Sequence, residues 1–200
     1  MIDAVIFDLG GVVFESPLHI IAAYERQQHL EPGVVNRVVA AAGADGAWAR
    51  RERGQLGFED FCVEFGAECA AAGASVDVAE LLGRIDRDAV PRPRMIDAVI
   101  EIRSGGRKVA ALTNNWVPLA DHSFLARFDV VVESSVEGVR KPEEAIYRRT
   151  LDRLGVAAER TVFLDDIGAN LKPARAMGMT TIKVVDPDEA LVELRRVLGD

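Results

Sequence analysis

Short apolar runs recur along the chain and are separated by stretches with a different period. Ala4-Val5-Ile6-Phe7, Lys108-Val109-Ala110-Ala111-Leu112, Val130-Val131-Val132, Thr161-Val162-Phe163-Leu164 and Thr181-Ile182-Lys183-Val184-Val185 are rich in β-branched residues and nearly free of charge. Continuous runs of this kind suit strands buried on both faces, as in a parallel sheet covered by helices. Helix-length segments follow them, so the pattern reads as repeated βαβ units. The predicted fold class is α/β, a doubly wound parallel sheet of the Rossmann-like type. Ligands bind such sheets outside the carboxyl ends of the strands.

The first two runs are separated by a long stretch with no strand pattern. It is rich in Ala, Glu and Arg, and Gly and Pro punctuate it into helices predicted over 18–30, 34–42, 47–54, 58–72 and 76–88. Ser16-Pro17 and Pro91-Arg92-Pro93 read as hinges at its edges. The expected organisation is an α/β core formed by 1–14 and 92–200, with a helical cap inserted over 15–91. There is no internal repeat and no low-complexity tract.

The 200 residues suffice for one domain with a small insert, and 49% hydrophobic with 28% charged residues is a globular balance. The formal net charge of −8 repels a nucleic-acid backbone, so no nucleic-acid partner is expected. Arg50-Arg51-Glu52-Arg53, a short basic cluster, reads as a solvated helix face. Cys62 and Cys69, seven residues apart on one helix, are too far apart to pair and read as reduced, partly buried residues. The start of the chain lacks the basic region of a signal peptide, and no apolar run is long enough to span a membrane. A cytoplasmic protein without a membrane partner is expected.

The candidate chemistry lies where the apolar runs end. In Phe7-Asp8-Leu9-Gly10-Gly11-Val12, Asp8 follows the first strand and precedes glycines, so its carboxylate is placed where a ligand would bind. A carboxylate is a competent nucleophile toward phosphorus once a metal offsets the repulsion between the two anions; otherwise Asp8 is a turn residue. Thr113 and Asn114 in Leu112-Thr113-Asn114-Asn115 offer hydrogen bonds to phosphoryl oxygens, although the same residues also suit a helix start. Lys141, in Arg140-Lys141-Pro142-Glu143, is a point charge for a transferring phosphoryl group and for Asp8, or simply a loop residue. Asp165 and Asp166 end another strand, and adjacent carboxylates are costly to hold there without a cation. Mg²⁺ favours such oxygen donors, and Asn170, one helical turn beyond Asp166, is within reach of the same site.

Asp8, Thr113, Lys141 and Asp165-Asp166 follow in the order characteristic of the haloacid dehalogenase superfamily, which the chain resembles from Met1 to about Leu198. The inserted cap matches its branch with a helical insert after the first strand. Leu112-Thr113-Asn114-Asn115-Trp116 and Phe163-Leu164-Asp165-Asp166-Ile167-Gly168-Ala169-Asn170-Leu171-Lys172-Pro173-Ala174-Arg175 are similar to the phosphatase domain at the N-terminus of bifunctional soluble epoxide hydrolases. The resemblance implies a core of this superfamily's type and hydrolysis of a phosphorylated small molecule through an aspartyl-phosphate on Asp8. It implies Mg²⁺ held by Asp8, the Gly10 carbonyl and Asp166, with Asp165 and Asn170 in the inner or outer shell. It further implies substrate contacts from Gly11, Thr113, Asn114 and Trp116, and charge neutralisation by Lys141.

Gly10 departs from the family's phosphatases, which usually place there a second aspartate as general acid and base. A phosphatase favouring good leaving groups, or one using another acid, follows from that loss; Glu15 and His19 are the nearby substitutes, or else a hinge carboxylate and a surface imidazole. The alternatives to a phosphatase are a 2-haloacid dehalogenase, which would also use Asp8, and a non-catalytic binding protein. Phe58, Phe61 and Phe65 share one helix face and, with Phe14 and Trp48, read as cap core or as the wall of a lipid-phosphate tunnel. Trp116 reads as a substrate contact or as packing beneath the cap. His29 and His122 lack metal-ligand spacing and read as surface or loop residues.

Overall fold

A computed structural model describes residues 1–199. Five strands, β1 (Ala4–Phe7), β2 (Lys108–Thr113), β3 (Val130–Glu133), β4 (Thr161–Asp165) and β5 (Thr180–Lys183), form one parallel sheet in the order β3-β2-β1-β4-β5. The helices α6 (Pro93–Ser104), α7 (His122–Leu125), α8 (Ser134–Glu137), α9 (Glu144–Leu154) and α10 (Gly168–Ala176) lie in the connections between them, and α11 (Pro187–Leu198) follows the last strand. The strand order reverses between β1 and β4, which makes the gap beyond their carboxyl ends the switch point where such sheets take ligands.

Alternation along the strands explains why the apolar runs are unbroken. Val5, Phe7, Val109, Ala111, Val162 and Leu164 pack under α6 and α11, while Ala4, Ile6, Ala110, Leu112 and Phe163 pack under α9 and α10. Both faces are therefore dry, and both sets of positions must be apolar. The fifth run is displaced from its expectation. Asp165 pairs with Lys183, so β5 stops where β4 stops, and Val185 beyond it is 80% exposed.

Between β1 and α6 the chain forms α1 (Pro17–Gln27), α2 (Val34–Ala42), α3 (Ala47–Glu52), α4 (Phe58–Ala71) and α5 (Val78–Arg87). Ile20, Ile21 and Tyr24 of α1, Val35 and Val38 of α2, Phe61, Phe65 and Cys69 of α4, and Leu81, Leu82 and Ile85 of α5 form an apolar core of their own. Helix α1 ends earlier than its apolar period suggests, because His29 adopts φ 55° and turns the chain left-handed. Helix α5 starts later, at the residue after Asp77, whose carboxylate caps it by accepting from the Glu80 N–H. Phe58 does not join Phe61 and Phe65: it lies in the first turn of α4 and is 48% exposed.

The two chain crossings at this insert are bound to each other. Phe14 and Pro91 form an antiparallel bridge, Glu15 N–H donates to Val90 O, and Arg92 N–H donates to Val13 O. The Arg92 guanidinium donates to the Gly11 and Val12 carbonyls and to both carboxylate oxygens of Glu15. Among the described residues, no helix is long and apolar enough to cross a membrane.

Candidate active site

Register brings the carboxylates together. Phe7 of β1 pairs with Leu164 of β4, so the residues that follow, Asp8 just past β1 and Asp165 at the end of β4, fall side by side, and Asp8 N–H donates to Leu164 O at 2.9 Å. Thr113 ends β2 on the other flank, where it is buried. Ligand oxygens of Asp8, Asp165 and Asp166 lie within 4.8 Å of one another.

Lys141 is the cation among them. Its ammonium sits 2.7 Å from Asp8 Oδ1 and 2.8 Å from Asp165 Oδ2 and is 1% exposed. Asp8 Oδ1 also accepts from Leu9 N–H at 2.7 Å, so both donors converge on one oxygen of Asp8. Burial would depress the Lys141 ammonium, but Asp165 and Asp8 hold it above the usual lysine range. The Asp8 carboxyl is nevertheless pushed well above the usual carboxylate range, first by burial, which outweighs Lys141, and then by repulsion from Asp165 and Asp166. Burial and Asp165 also raise Asp166, with partial relief from the Ser16 hydroxyl that donates to it at 2.9 Å.

Asp165 is saturated with donors. Its oxygens accept from Lys141 Nζ, from Ile167 N–H at 2.8 Å, and from Asn170 Nδ2 at 3.1 and 3.0 Å. Asn170, one helical turn beyond Asp166, thus reaches the carboxylate cluster through Asp165. Tyr147, buried against Phe163, donates to the Asn170 carbonyl at 2.7 Å and fixes the start of α10. Asp8 and Asp166 are left with fewer donors, and one ammonium faces three carboxylates. A hard divalent cation that takes carboxylate oxygens fits this donor set, because it would offset the charge that burial makes costly.

The glycines are placed by contact. Gly11 has φ +81°, and a Cβ there would lie 2.1 Å from Asp166 Oδ2, so only glycine lets Asp166 approach the first loop. A Cβ on Gly10 would meet the Pro17 ring at 3.2 Å. The two acid substitutes proposed near Gly10 differ in surroundings. Glu15 is ion-paired to Arg92, which holds its carboxyl below the usual range, and the His19 side chain is 77% exposed.

Asn114 faces the lysine and not open space: it accepts from Lys141 N–H at 2.9 Å and donates to Lys141 O at 3.1 Å. The Thr113 hydroxyl makes only a 3.5 Å contact with Asn114 O. Trp116 packs against the helical unit, 6.0 Å from Trp48 ring to ring, and Trp48 meets Phe61 and Phe65 edge-on. Phe14 packs on Phe124, in the core.

The Arg50–Arg53 cluster is not a solvated face. Arg50 pairs with Glu64, Arg51 donates to Leu56 O, Arg53 pairs with Glu143, and Glu52 is buried beside Arg140. Ser16, Glu52, Arg92 and Arg140 around the site had not been assigned roles. In the sequence, Ser16 and Arg92 stood out as hinge residues, Glu52 as part of the Arg50–Arg53 cluster, and Arg140 as the neighbour of Lys141. Cys62 and Cys69 are free, His29 lies in a turn, and the side chain of His122 lies outside the described residues. A groove of about 840 Å³, lined by Ile2, Ile102, Leu191 and Leu194, opens at the amino ends of β1 and β2. It is at the wrong end of the strands for the carboxylates.

Fold and site together define a doubly wound α/β protein with a carboxylate centre at its switch point. A haloacid dehalogenase-like hydrolase model matches residues 2–178, and the chain belongs to that family of hydrolases. It is 39% identical to acyl-CoA dehydrogenase family member 10 of Mus musculus, with 98% of the chain and 19% of that protein covered. It is 32% identical to bifunctional epoxide hydrolase 2 of Sus scrofa over 98% of the chain, or 39% of that protein. The chain therefore spans well under half of these two relatives. The sesquiterpene phosphatase astK of Aspergillus oryzae is 26% identical, with 98% of the chain and 96% of that protein covered. Among solved structures, a haloacid dehalogenase-like hydrolase of Porphyromonas gingivalis superposes with a TM-score of 0.67 at 21% identity, covering 100% and 99% of the two chains. A family enzyme of Bacteroides thetaiotaomicron, in complex with magnesium and inorganic phosphate, superposes at 0.62 and 18% identity over 92% and 94%.

Proposed function

We propose that this hydrolase is a Mg²⁺-dependent phosphatase of small-molecule phosphomonoesters. The observation that carries this reading is the buried Asp8, paired with Lys141 at 2.7 Å and gathered with Asp165 and Asp166 in an acidic cluster that one ammonium does not neutralise. Asp8, Asp166 and the Gly10 carbonyl would hold the ion, with Asp165 and Asn170 behind them. When bound, Mg²⁺ supplies neutralisation of the carboxylates and of the phosphoryl oxygens. Asp8 Oδ2, which carries neither of the donors on Oδ1, attacks phosphorus in line as the bond to the leaving oxygen breaks, giving an aspartyl-phosphate. Water then cleaves that acyl phosphate and restores the carboxylate. Lys141 holds positive charge beside the reacting oxygens throughout, and Gly11 and Thr113 border the phosphoryl group. Because residue 10 has no side chain, the leaving oxygen takes its proton from solvent, which favours good leaving groups.

The helical unit 15–91 is read as a cap that closes over this site and excludes water. Trp48 and Trp116, half-buried where it meets the core, favour substrates with an apolar portion. The names of the relatives, a sesquiterpene phosphatase among them, agree with that reading. The three clustered carboxylates weigh against a metal-free dehalogenase, and the intact Asp8–Lys141 pair weighs against a protein that only binds. The test is phosphate release from para-nitrophenyl phosphate with and without Mg²⁺, beside Asp8→Asn, followed by simple and isoprenoid monophosphates. Release that requires both the ion and Asp8 is the expected result. Halide release from 2-chloropropionate without Mg²⁺ would overturn the reading.

A further inference from the structure

Helix α3 and the turn after it meet the loop that carries Lys141. Glu52 Oε2 lies 2.5 Å from Arg140 Nε, and Arg53 donates to Glu143 at 3.2 Å. Gly54 lies so close to the Ser135 carbonyl that a Cβ would stand 2.5 Å from its oxygen. Glu52 is 7% exposed, an unusual place for a carboxylate unless its partners are fixed. One of its oxygens accepts from Trp48 of its own helix at 3.1 Å, and the other faces Arg140 and, at 3.4 Å, Asn114 Nδ2. Asn114 brackets the Lys141 peptide through both its N–H and its C=O. A continuous chain of polar contacts therefore runs from the helical unit, through Glu52 and Asn114, to the ammonium between Asp8 and Asp165.

We propose that Glu52 is a positioning residue: through Arg140 and Asn114 it ties the seating of α3 to the placement of Lys141 between Asp8 and Asp165. Its effect on turnover rests on the phosphatase reading; its effect on Lys141 does not. Without α3 in place, the 140–143 loop loses two ion pairs, and Asn114 loses the anion that orients its amide. The lysine then lacks the support that holds it in a dry site.

The sequence supplies a direct readout, since it contains only four lysines, Lys108, Lys141, Lys172 and Lys183. Lys172 and Lys183 are exposed and Lys141 is buried. Brief acetylation of the folded chain with an N-hydroxysuccinimide ester, read by peptide mass spectrometry, measures Lys141 labelling against Lys172 and Lys183 as internal standards. In Glu52→Gln and in Arg140→Gln, Lys141 labelling is expected to rise about tenfold, and the double variant to rise no further than the larger single, as for two residues in one contact. Turnover of para-nitrophenyl phosphate is expected to fall by a similar factor through kcat, with KM changed less. Unchanged Lys141 labelling in either folded single variant, or effects that multiply in the double, would overturn the proposal. A wild-type chain without phosphatase activity whose Lys141 labelling follows the expected pattern would sink the phosphatase reading and leave the positioning role standing.

Discussion

Replacing Gly11 with alanine tests the geometry of the carboxylate centre most sharply. The added Cβ would lie 2.1 Å from Asp166 Oδ2 and 2.3 Å from its Cγ, where ordinary contact begins at 3.4 Å, so the carboxylate must retreat by more than 1 Å. Two costs follow. The left-handed backbone at φ +81° costs about 1–2 kcal/mol once a Cβ is present. Displacing Asp166 also breaks its hydrogen bond from Ser16, and bonds to charged groups contribute about 1.5–3 kcal/mol. The expected destabilisation is about 2.5–5 kcal/mol, or about 5–20 °C in Tm for a chain of this size. Gly106→Ala is the control, because Gly106 has φ +86° with nothing within 4 Å, so it bears the backbone cost alone, about 1–2 kcal/mol. Thermal melts with and without Mg²⁺, and calorimetric titration with the ion, separate the two. Gly11→Ala should also bind Mg²⁺ at least about tenfold more weakly, a difference of about 1.4 kcal/mol, whereas Gly106→Ala should bind it normally. Equal loss of Tm in both variants with equal Mg²⁺ affinity would refute the argument.

Lys141→Met leaves buried carboxylates without their cation and should cost about 3–5 kcal/mol in urea melts at neutral pH. Burial has already raised the folded-state pKa of Asp8 above its unfolded value, so the folded state takes up the proton first and the loss should shrink as pH falls toward the carboxylate range. A loss that grows on acidification would contradict that sign. In the wild type, Lys141 is raised, so its contribution is complete below the usual lysine value and should fade only as pH climbs past it, visible as alkaline loss of Tm that Lys141→Met lacks. Gly10→Asp should speed alkyl phosphates more than para-nitrophenyl phosphate, toward the ~10²–10⁴-fold of a general acid, provided the Pro17 ring yields a few tenths of an ångström; an alkyl phosphate rate that does not rise relative to that of para-nitrophenyl phosphate would exclude a missing acid as the limit. Glu15→Gln removes the carboxyl that Arg92 holds below its usual range, so its small stabilisation is present above that range and lost as pH falls through the lowered value. The Tm difference from wild type should therefore close in acid, and a difference that persists there would show that packing, not charge, joins the two crossings.

Periodicity is a local property, and the features that depend on it were legible. Buried strands need apolar residues on both faces, so β1, β2, β3 and β4 were marked by composition alone, and the five helices before α6 by Gly and Pro punctuation. Asp8, Thr113 and Asp165 were legible as candidate site residues because each follows or ends a strand. The sheet order, the partners and the directions of side chains were decided only by folding. Lys141 and Asp8 are 133 residues apart, and Ser16 and Asp166 are 150 apart; the chemistry of its loop suggested the first pair but not its burial or its sharing with Asp165, and the second left no trace in local sequence. Glu52 shows this best. In the sequence it belongs to a run of charge that suits a wet helix face, and it is buried because α3 docks on Arg140, a partner chosen by the packing of two separate apolar cores. A charge pattern states what a face could bear, while burial depends on which surface arrives opposite it.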